Sequence, residues 1–194
     1  MVLTRPRSLS PAATLPTVRH GGGTLRFYAG IGSRNTPADV LDLMERTARH
    51  LAAQRWVLRT GHATGADQAF ERGAGNRAEV YLPWPDFEQD VPITARTVVT
   101  SPTREAHDIA KLHHPKWAEL KRGAQQLHAR NAHQVLGPYL DRTVQFVLCW
   151  TPDAQGGGGT GQAIRMARAF GAKVHDLADD RTRAKVEAMI TPKG

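Results

Sequence analysis

Two rhythms of apolar and polar positions alternate along this chain: short apolar runs of strand length, and longer stretches whose apolar residues recur every three to four positions. The clearest unit runs from Thr143 to Val174. Val144, Phe146, Val147, Leu148, Cys149 and Trp150 form a near-continuous apolar run, which suits a strand covered on both faces in a parallel sheet. Pro152 and Asp153 turn the chain, and the consecutive glycines Gly156, Gly157, Gly158 and Gly159 follow. Thr160 is suited to cap a helix in which Ile164, Ala167, Ala169 and Phe170 recur at helical spacing until Gly171 ends it. Ala172 to Leu177 then reads as a return strand.

The same order appears upstream. Leu25 to Ala29 predicts a strand that runs into Gly30-Ile31-Gly32-Ser33-Arg34-Asn35-Thr36-Pro37, followed by a helix over 38–54 with Val40, Leu41, Met44, Thr47, Ala48 and Leu51 as its buried stripe. Thr36 suits the cap and Pro37 the first helical position. Trp56 to Arg59 predicts a second strand, opening through Thr60 to Gln68 into a helix with Ala69, Phe70 and Ala74. Arg77 to Leu82 predicts a third, ending in Pro83-Trp84-Pro85-Asp86-Phe87-Glu88. Thr103 to Gly137 reads as helical and basic, and Asp180 to Ile190 as a closing helix. This recurrence predicts an α/β fold, a Rossmann-like three-layer sandwich with a mainly parallel sheet and helices on both faces. One domain is expected over 25–194. Residues 1–24, with Pro6, Pro11, Pro16, Arg5, Arg7, Arg19 and no acidic residue, read as a flexible basic arm.

In an open parallel sheet the carboxyl ends of the strands share one edge, so the three small-residue loops are expected to converge on one crevice. A glycine loop feeding a helix N-terminus suits an anion, because first-turn N–H groups lack partners within the helix and the dipole favours negative charge. Gly156 to Thr160 are therefore candidates to hold phosphate. In the first loop, Gly30 and Gly32 would let backbone approach a ligand, Ser33 offers a hydroxyl, and Arg34 suits bidentate contact to phosphate. Asn35 stands where a G-x-G-x-x-G fingerprint requires its third glycine, which disfavours an ordinary dinucleotide site. The second loop adds Gly61, Thr64, Gly65 and Asp67; the carboxylate suits either the helix dipole or a ribose hydroxyl. His62 reads as a satisfied loop histidine. Trp84 and Phe87 could stack on a base, but a packed loop is the preferred reading. Arg130 and Asn131 stand out as a charged and amide pair on the basic helix.

Composition narrows the field. The 194 residues are 40% hydrophobic, enough for one core, and Cys149 is the only cysteine, so no internal disulfide forms and a buried thiol in a reducing cytoplasm is expected. No run approaches the roughly 18 apolar residues of a membrane helix, and the first twenty residues lack a secretory apolar region. A formal charge of +8 and a pI near 10.2 favour anionic partners such as nucleotides or nucleic acid. Five of nine histidines lie over 103–137, yet no HExxH spacing accompanies them, and no metal site is expected.

Four segments in order carry a resemblance: Gly32-Ser33-Arg34, Thr60 to Asp67 (TGHATGAD), Ala129-Arg130-Asn131, and Gly156 to Thr160 (GGGGT). Together they resemble the SLOG superfamily, the Rossmann-like group that contains the DNA-processing (DprA) recombination mediators and the LOG-type nucleotide phosphoribohydrolases. The resemblance covers about Leu25 to Leu177. The first three segments look most like the DNA-processing family's GSR, S-G-x-A-x-G-I-D and R-N. The phosphoribohydrolases resemble P-G-G-x-G-T-x-x-E instead, and here Gln155 replaces the proline and Ala163 the glutamate. The chain is taken up by the Rossmann-like unit and its arm, leaving no expected winged-helix domain.

The resemblance and the residues together imply binding of a nucleotide or nucleotide-derived phosphate ligand, with no further cofactor. The alternatives are a DprA-like mediator that binds single-stranded DNA, and a LOG-like hydrolase of a nucleotide N-glycosidic bond in which a non-standard carboxylate, Asp67 first and otherwise Asp86, Glu88 or Asp153, serves catalysis. By analogy with the superfamily, a homodimer is expected. All three readings require that the turns near residues 32, 65 and 158 become neighbours.

Overall fold

In the computed structural model, residues 25–152 and 158–191 are described. Their strands are β1 (Arg26–Gly30), β2 (Trp56–Thr60), β3 (Ala78–Leu82), β4 (Thr97–Thr100), β5 (Phe146–Cys149) and β6 (Lys173–Asp176). Their helices are α1 (Ala38–Ala53), α2 (Ala66–Ala74), α3 (Arg104–Leu112), α4 (Arg122–Leu136), α5 (Gly158–Ala169) and α6 (Asp180–Ile190). The strands form one six-stranded sheet in the order β4-β3-β2-β1-β5-β6, and every pairing is parallel.

Alternation along the central strands sorts the core into two faces. Phe27, Ala29, Val147 and Cys149 point to the side covered by α3, α4 and α5, where they meet Ala129, Ala132, Val135, Ile164 and Ala167. Tyr28, Leu58 and Leu148 point to the side covered by α1, α2 and α6, against Leu43, Met44, Phe70 and Val186. The molecule is therefore a three-layer α/β/α sandwich of the Rossmann-like type. Cys149 is buried, with burial holding its thiol well above the ordinary range. No described helix is long and apolar enough to cross a membrane.

Helices α1 and α2 approach closely at Gly73, where an added Cβ would collide with the carbonyl oxygen of Glu45. Helix propensity alone favours Gly→Ala by about 0.5–1 kcal/mol. Overpacking against backbone opposes that with about 1–3 kcal/mol. Gly73→Ala is expected to lower the urea midpoint, with the slope of the unfolding transition unchanged.

Several predicted boundaries move. The stretch 103–137 divides into α3, a 3₁₀ turn at Trp117–Glu119, and α4. Pro115 disfavours helical backbone at His114 and supplies no N–H of its own, so α3 stops at Leu112. Pro37 sits at the N-cap of α1 rather than inside it, and the Thr36 hydroxyl donates to the Ser33 carbonyl instead of capping. Helix α5 begins at Gly158, so Thr160 lies within its first turn rather than ahead of it. Strand β4, Thr-Val-Val-Thr at the sheet edge, is an addition. It is reached from β3 through residues 83–96, which contain no helix and pack Trp84, Phe87 and Ile93 over Ala63, Val80 and Leu82.

Candidate functional site

From β1 the chain builds the sheet outward through β2, β3 and β4, then crosses back to place β5 and β6 on the other side of β1. The switch point lies between β1 and β5. A crevice opens at such a point, because the loops after the two strands depart toward opposite faces. The crevice here is a cavity of about 510 Å3. Ile31, Gly32, Ser33 and Arg34 contribute the wall after β1, and Ala63 and Asp67 the wall at α2. Leu127, His128, Arg130, Asn131 and Gln134 of α4 form a third side; Pro152, Gly159, Thr160 and Ala163 close the fourth.

The turns near 32, 65 and 158 thus lie together. Gly65 has φ +92°, a conformation that a side chain resists, and a Cβ there would lie 2.8 Å from the carbonyl oxygens of Ser33 and Arg34. The Ala66 N–H donates to the Ser33 carbonyl, and the Thr60 hydroxyl donates to that of Gly30. Gly30, Gly61, Thr64 and Gly65 are not among the residues that line the cavity. Gly30 admits Phe70 and Leu58, and Gly61 leaves room for the Arg130 guanidinium. Gly156 and Gly157 lie outside the described residues, while Gly159 and Thr160 border the cavity and Gly158 opens α5.

Arg130 and Asp67 form the buried electrostatic centre. Arg130 Nη1 donates to the Gly61 carbonyl at 2.6 Å, and Nη2 lies 3.7 Å from Asp67 Oδ2. Burial pushes the Asp67 carboxyl up to about 6; the Arg130 charge and the N–H groups of Ala63, Gly32 and Gly61 oppose the rise. Asp67 therefore draws the β1 and β2 loops together while facing the cavity. Much of Arg130 is likewise committed to the protein, leaving Nε buried without a partner among the described residues. Arg34, by contrast, is largely exposed and pairs with Glu88 Oε1 at 2.8 Å. Glu88 Oε2 also accepts from the Thr64 N–H and hydroxyl, so a carboxylate of residues 83–96 already occupies donors of the second loop.

On α4, Asn131 Nδ2 donates to Gln162 Oε1 at 3.0 Å and approaches the Gly159 carbonyl at 3.5 Å, tying α4 to the start of α5. His128 Nδ1 lies 3.4 Å from the same Gln162 oxygen, which accepts only, so Nδ1 carries the proton and Nε2 is left as an acceptor. Burial, reinforced by His114, holds His128 down to about 4. No group of three or more His, Cys, Asp or Glu residues among those described could hold a metal ion.

His62 is buried with φ +64° and both ring nitrogens face acceptors, Glu71 Oε2 at 2.7 Å and the Val91 carbonyl at 3.1 Å. Only the imidazolium donates to both. The Glu71 hydrogen bond raises its pKa above the ordinary 6.5, against the opposing effect of burial. A raised folded-state value gives stability that is complete below 6.5 and lost as pH rises through the higher folded value. The urea midpoint is expected to fall over that alkaline interval, and His62→Gln to remove this component of the fall.

Sequence reasoning gave no binding role to His128, Gln134 or Gln162, and named Glu88 only as one possible catalytic carboxylate. A signal existed for two of them: Leu127, His128, Asn131 and Gln134 share one face at helical spacing.

Fold and cavity together define a Rossmann-like α/β protein with a polar cleft at its switch point. No family model and no curated protein matches the chain. Among solved structures it is similar to the molybdenum cofactor carrier protein MCP from Chlamydomonas reinhardtii, at 14% identity over 86% of this chain and 96% of that one, TM-score 0.42. It is also similar to DNA processing protein A (DprA) from Streptococcus pneumoniae, at 14% identity and TM-score 0.37, covering 77% of this chain and 58% of that one. DNA processing protein A from Helicobacter pylori, whose structure concerns its single-stranded DNA binding mode, is similar at 13% identity, with 86% and 80% coverage and TM-score 0.39. The group that the sequence motifs resemble is thus among these structures. Likeness at this level decides nothing about the ligand, and the fold stands on the sheet order above.

Proposed function

We propose that the switch-point cleft binds a nucleotide or a nucleotide-derived phosphate compound. The observation that carries this reading is the meeting of four separate segments, the loop after β1 and the starts of α2 and α5 with one face of α4, on a single cavity with a basic and amide-rich wall. The first-turn N–H groups of α5 at Gly159 and Thr160 suit a phosphate. Arg34, released from Glu88, would offer that phosphate a charged partner, an exchange of small free-energy cost because an exposed ion pair is worth about 0–1 kcal/mol. Asn131, which also borders the cavity, is the residue we assign to the sugar.

Two features favour a small ligand over a nucleic-acid strand or a hydrolysed substrate. Phe87 is buried and Trp84 packs edge-on against it at 5.2 Å, so this pair offers no stacking platform. Ala163, where the phosphoribohydrolase motif has glutamate, borders the cavity, and Asp67 is engaged by backbone N–H groups and Arg130. Calorimetric titration of the full chain with nucleoside 5′-monophosphates, combined with assay for released base, tests the reading. Saturable binding without base release is expected. Binding only to single-stranded oligonucleotides, with affinity falling steeply with salt, would replace it with the DNA-mediator reading. Base release abolished by Asp67→Asn would replace it with the hydrolase.

A further inference from the structure

Gln134 is fully buried on α4 and borders the cavity, and neither its Oε1 nor its Nε2 has a partner among the described residues. Buried amides are ordinarily matched at both ends, so an amide unmatched at both, on a cavity wall, is a site awaiting its complement. One turn earlier on the same helix face, Arg130 Nε is also buried and unmatched. The exposure of α4 falls along this face, from 9% at His128 and 7% at Asn131 to 0% at Gln134. Gln134 therefore marks the dry end of the cavity, while Gly159 and Thr160 line it from the start of α5.

We propose that Gln134, whose amide atoms are closed to water in this structure, turns toward the cavity to read the hydrogen-bonding edge of a nucleobase inserted at this dry end, its amide matching an adjacent donor and acceptor on the heterocycle. A side-chain amide pairs with a base in this way wherever a donor and an acceptor sit side by side, as on adenine. The inference rests on the reading that the cleft binds a nucleotide, and it adds a determinant for the base that phosphate contacts cannot supply.

The test is calorimetric titration of the full chain with the four common nucleoside 5′-monophosphates and with ribose 5-phosphate, for the natural protein, Gln134→Leu and Gln134→Glu. The natural protein is expected to bind one nucleotide at least tenfold more tightly than ribose 5-phosphate. Gln134→Leu should bring that nucleotide to within about threefold of ribose 5-phosphate while leaving the sugar phosphate's own affinity unchanged, and Gln134→Glu should reorder the bases. Removing both amide atoms in favour of an apolar side chain of similar size leaves no new unmatched group, so the leucine variant should fold. The ligand-side counterpart needs no variant: a nucleotide whose base lacks the donor should lose the same factor against the natural protein. An unchanged ranking in both variants overturns the proposal, as does equal affinity of the natural protein for ribose 5-phosphate and every nucleotide; either result leaves the phosphate reading standing. Failure to bind any of the five compounds overturns the nucleotide reading and this inference with it.

Discussion

Arg130→Met is expected to lower unfolding free energy by about 3 kcal/mol at pH 8 and by clearly less at pH 5, because removing one member of a buried ion pair leaves the other uncompensated. The pH dependence comes from Asp67. Its carboxyl is raised from 3.8 to about 6 in the folded protein, so the folded state holds a proton that the unfolded chain releases between those values. Stability from this group is therefore greatest below 3.8 and declines as pH rises through 6. Without Arg130, whose charge opposes the rise, the folded-state value climbs further and the decline continues above pH 6. At pH 5 the acid is largely neutral with or without Arg130; at pH 8 only the variant carries the extra penalty. Urea unfolding at pH 5, 6, 7 and 8 measures it, and adding Asp67→Asn should recover most of the loss at pH 8. A deficit independent of pH would mean that the guanidinium matters only through its bond to the Gly61 carbonyl.

Gly159→Leu is expected to weaken ligand binding at least tenfold without unfolding the protein. A Cβ at Gly159 meets no atom within 4 Å among the described residues, and its φ lies outside the range that disfavours side chains, so the backbone accepts a side chain there. The side chain would fill the space at the first turn of α5 where phosphate is proposed to sit. A loss of at least tenfold, about 1.4 kcal/mol, is expected in the affinity for any phosphate-bearing ligand, at constant melting temperature. Unchanged affinity would remove the start of α5 from the site.

The layered architecture was legible because the run from Val144 to Trp150 and the Leu25 strand are near-continuously apolar, broken only by Gln145 and Arg26, the mark of strands covered on both faces. Strand β4 was not, since Thr97 to Thr100 is a short, largely exposed edge without a buried face to impose a pattern. The convergence of the first, second and last loops followed from the sheet rule alone. What each loop residue does there did not follow. Gly61 and Arg130 are interdependent, one small so that the other fits, and no local signal joins positions so far apart in the chain. Glu88 lay in a segment read as a packed aromatic loop, and its grip on Thr64 and Arg34 depends on the path of residues 83–96. Gln134 was harder to read for a different reason: its spacing with Leu127, His128 and Asn131 marks a shared face, but a glutamine inside a basic helix looks solvated until burial shows otherwise.

The most direct test is a two-dimensional amide NMR titration of the full chain with nucleoside 5′-monophosphates. The account predicts saturable shifts confined to the Gly32–Arg34 loop, Gly159 and Thr160, and the side-chain amides of Asn131 and Gln134. Shifts confined instead to the edge strands β4 or β6, or none at millimolar ligand, would contradict it.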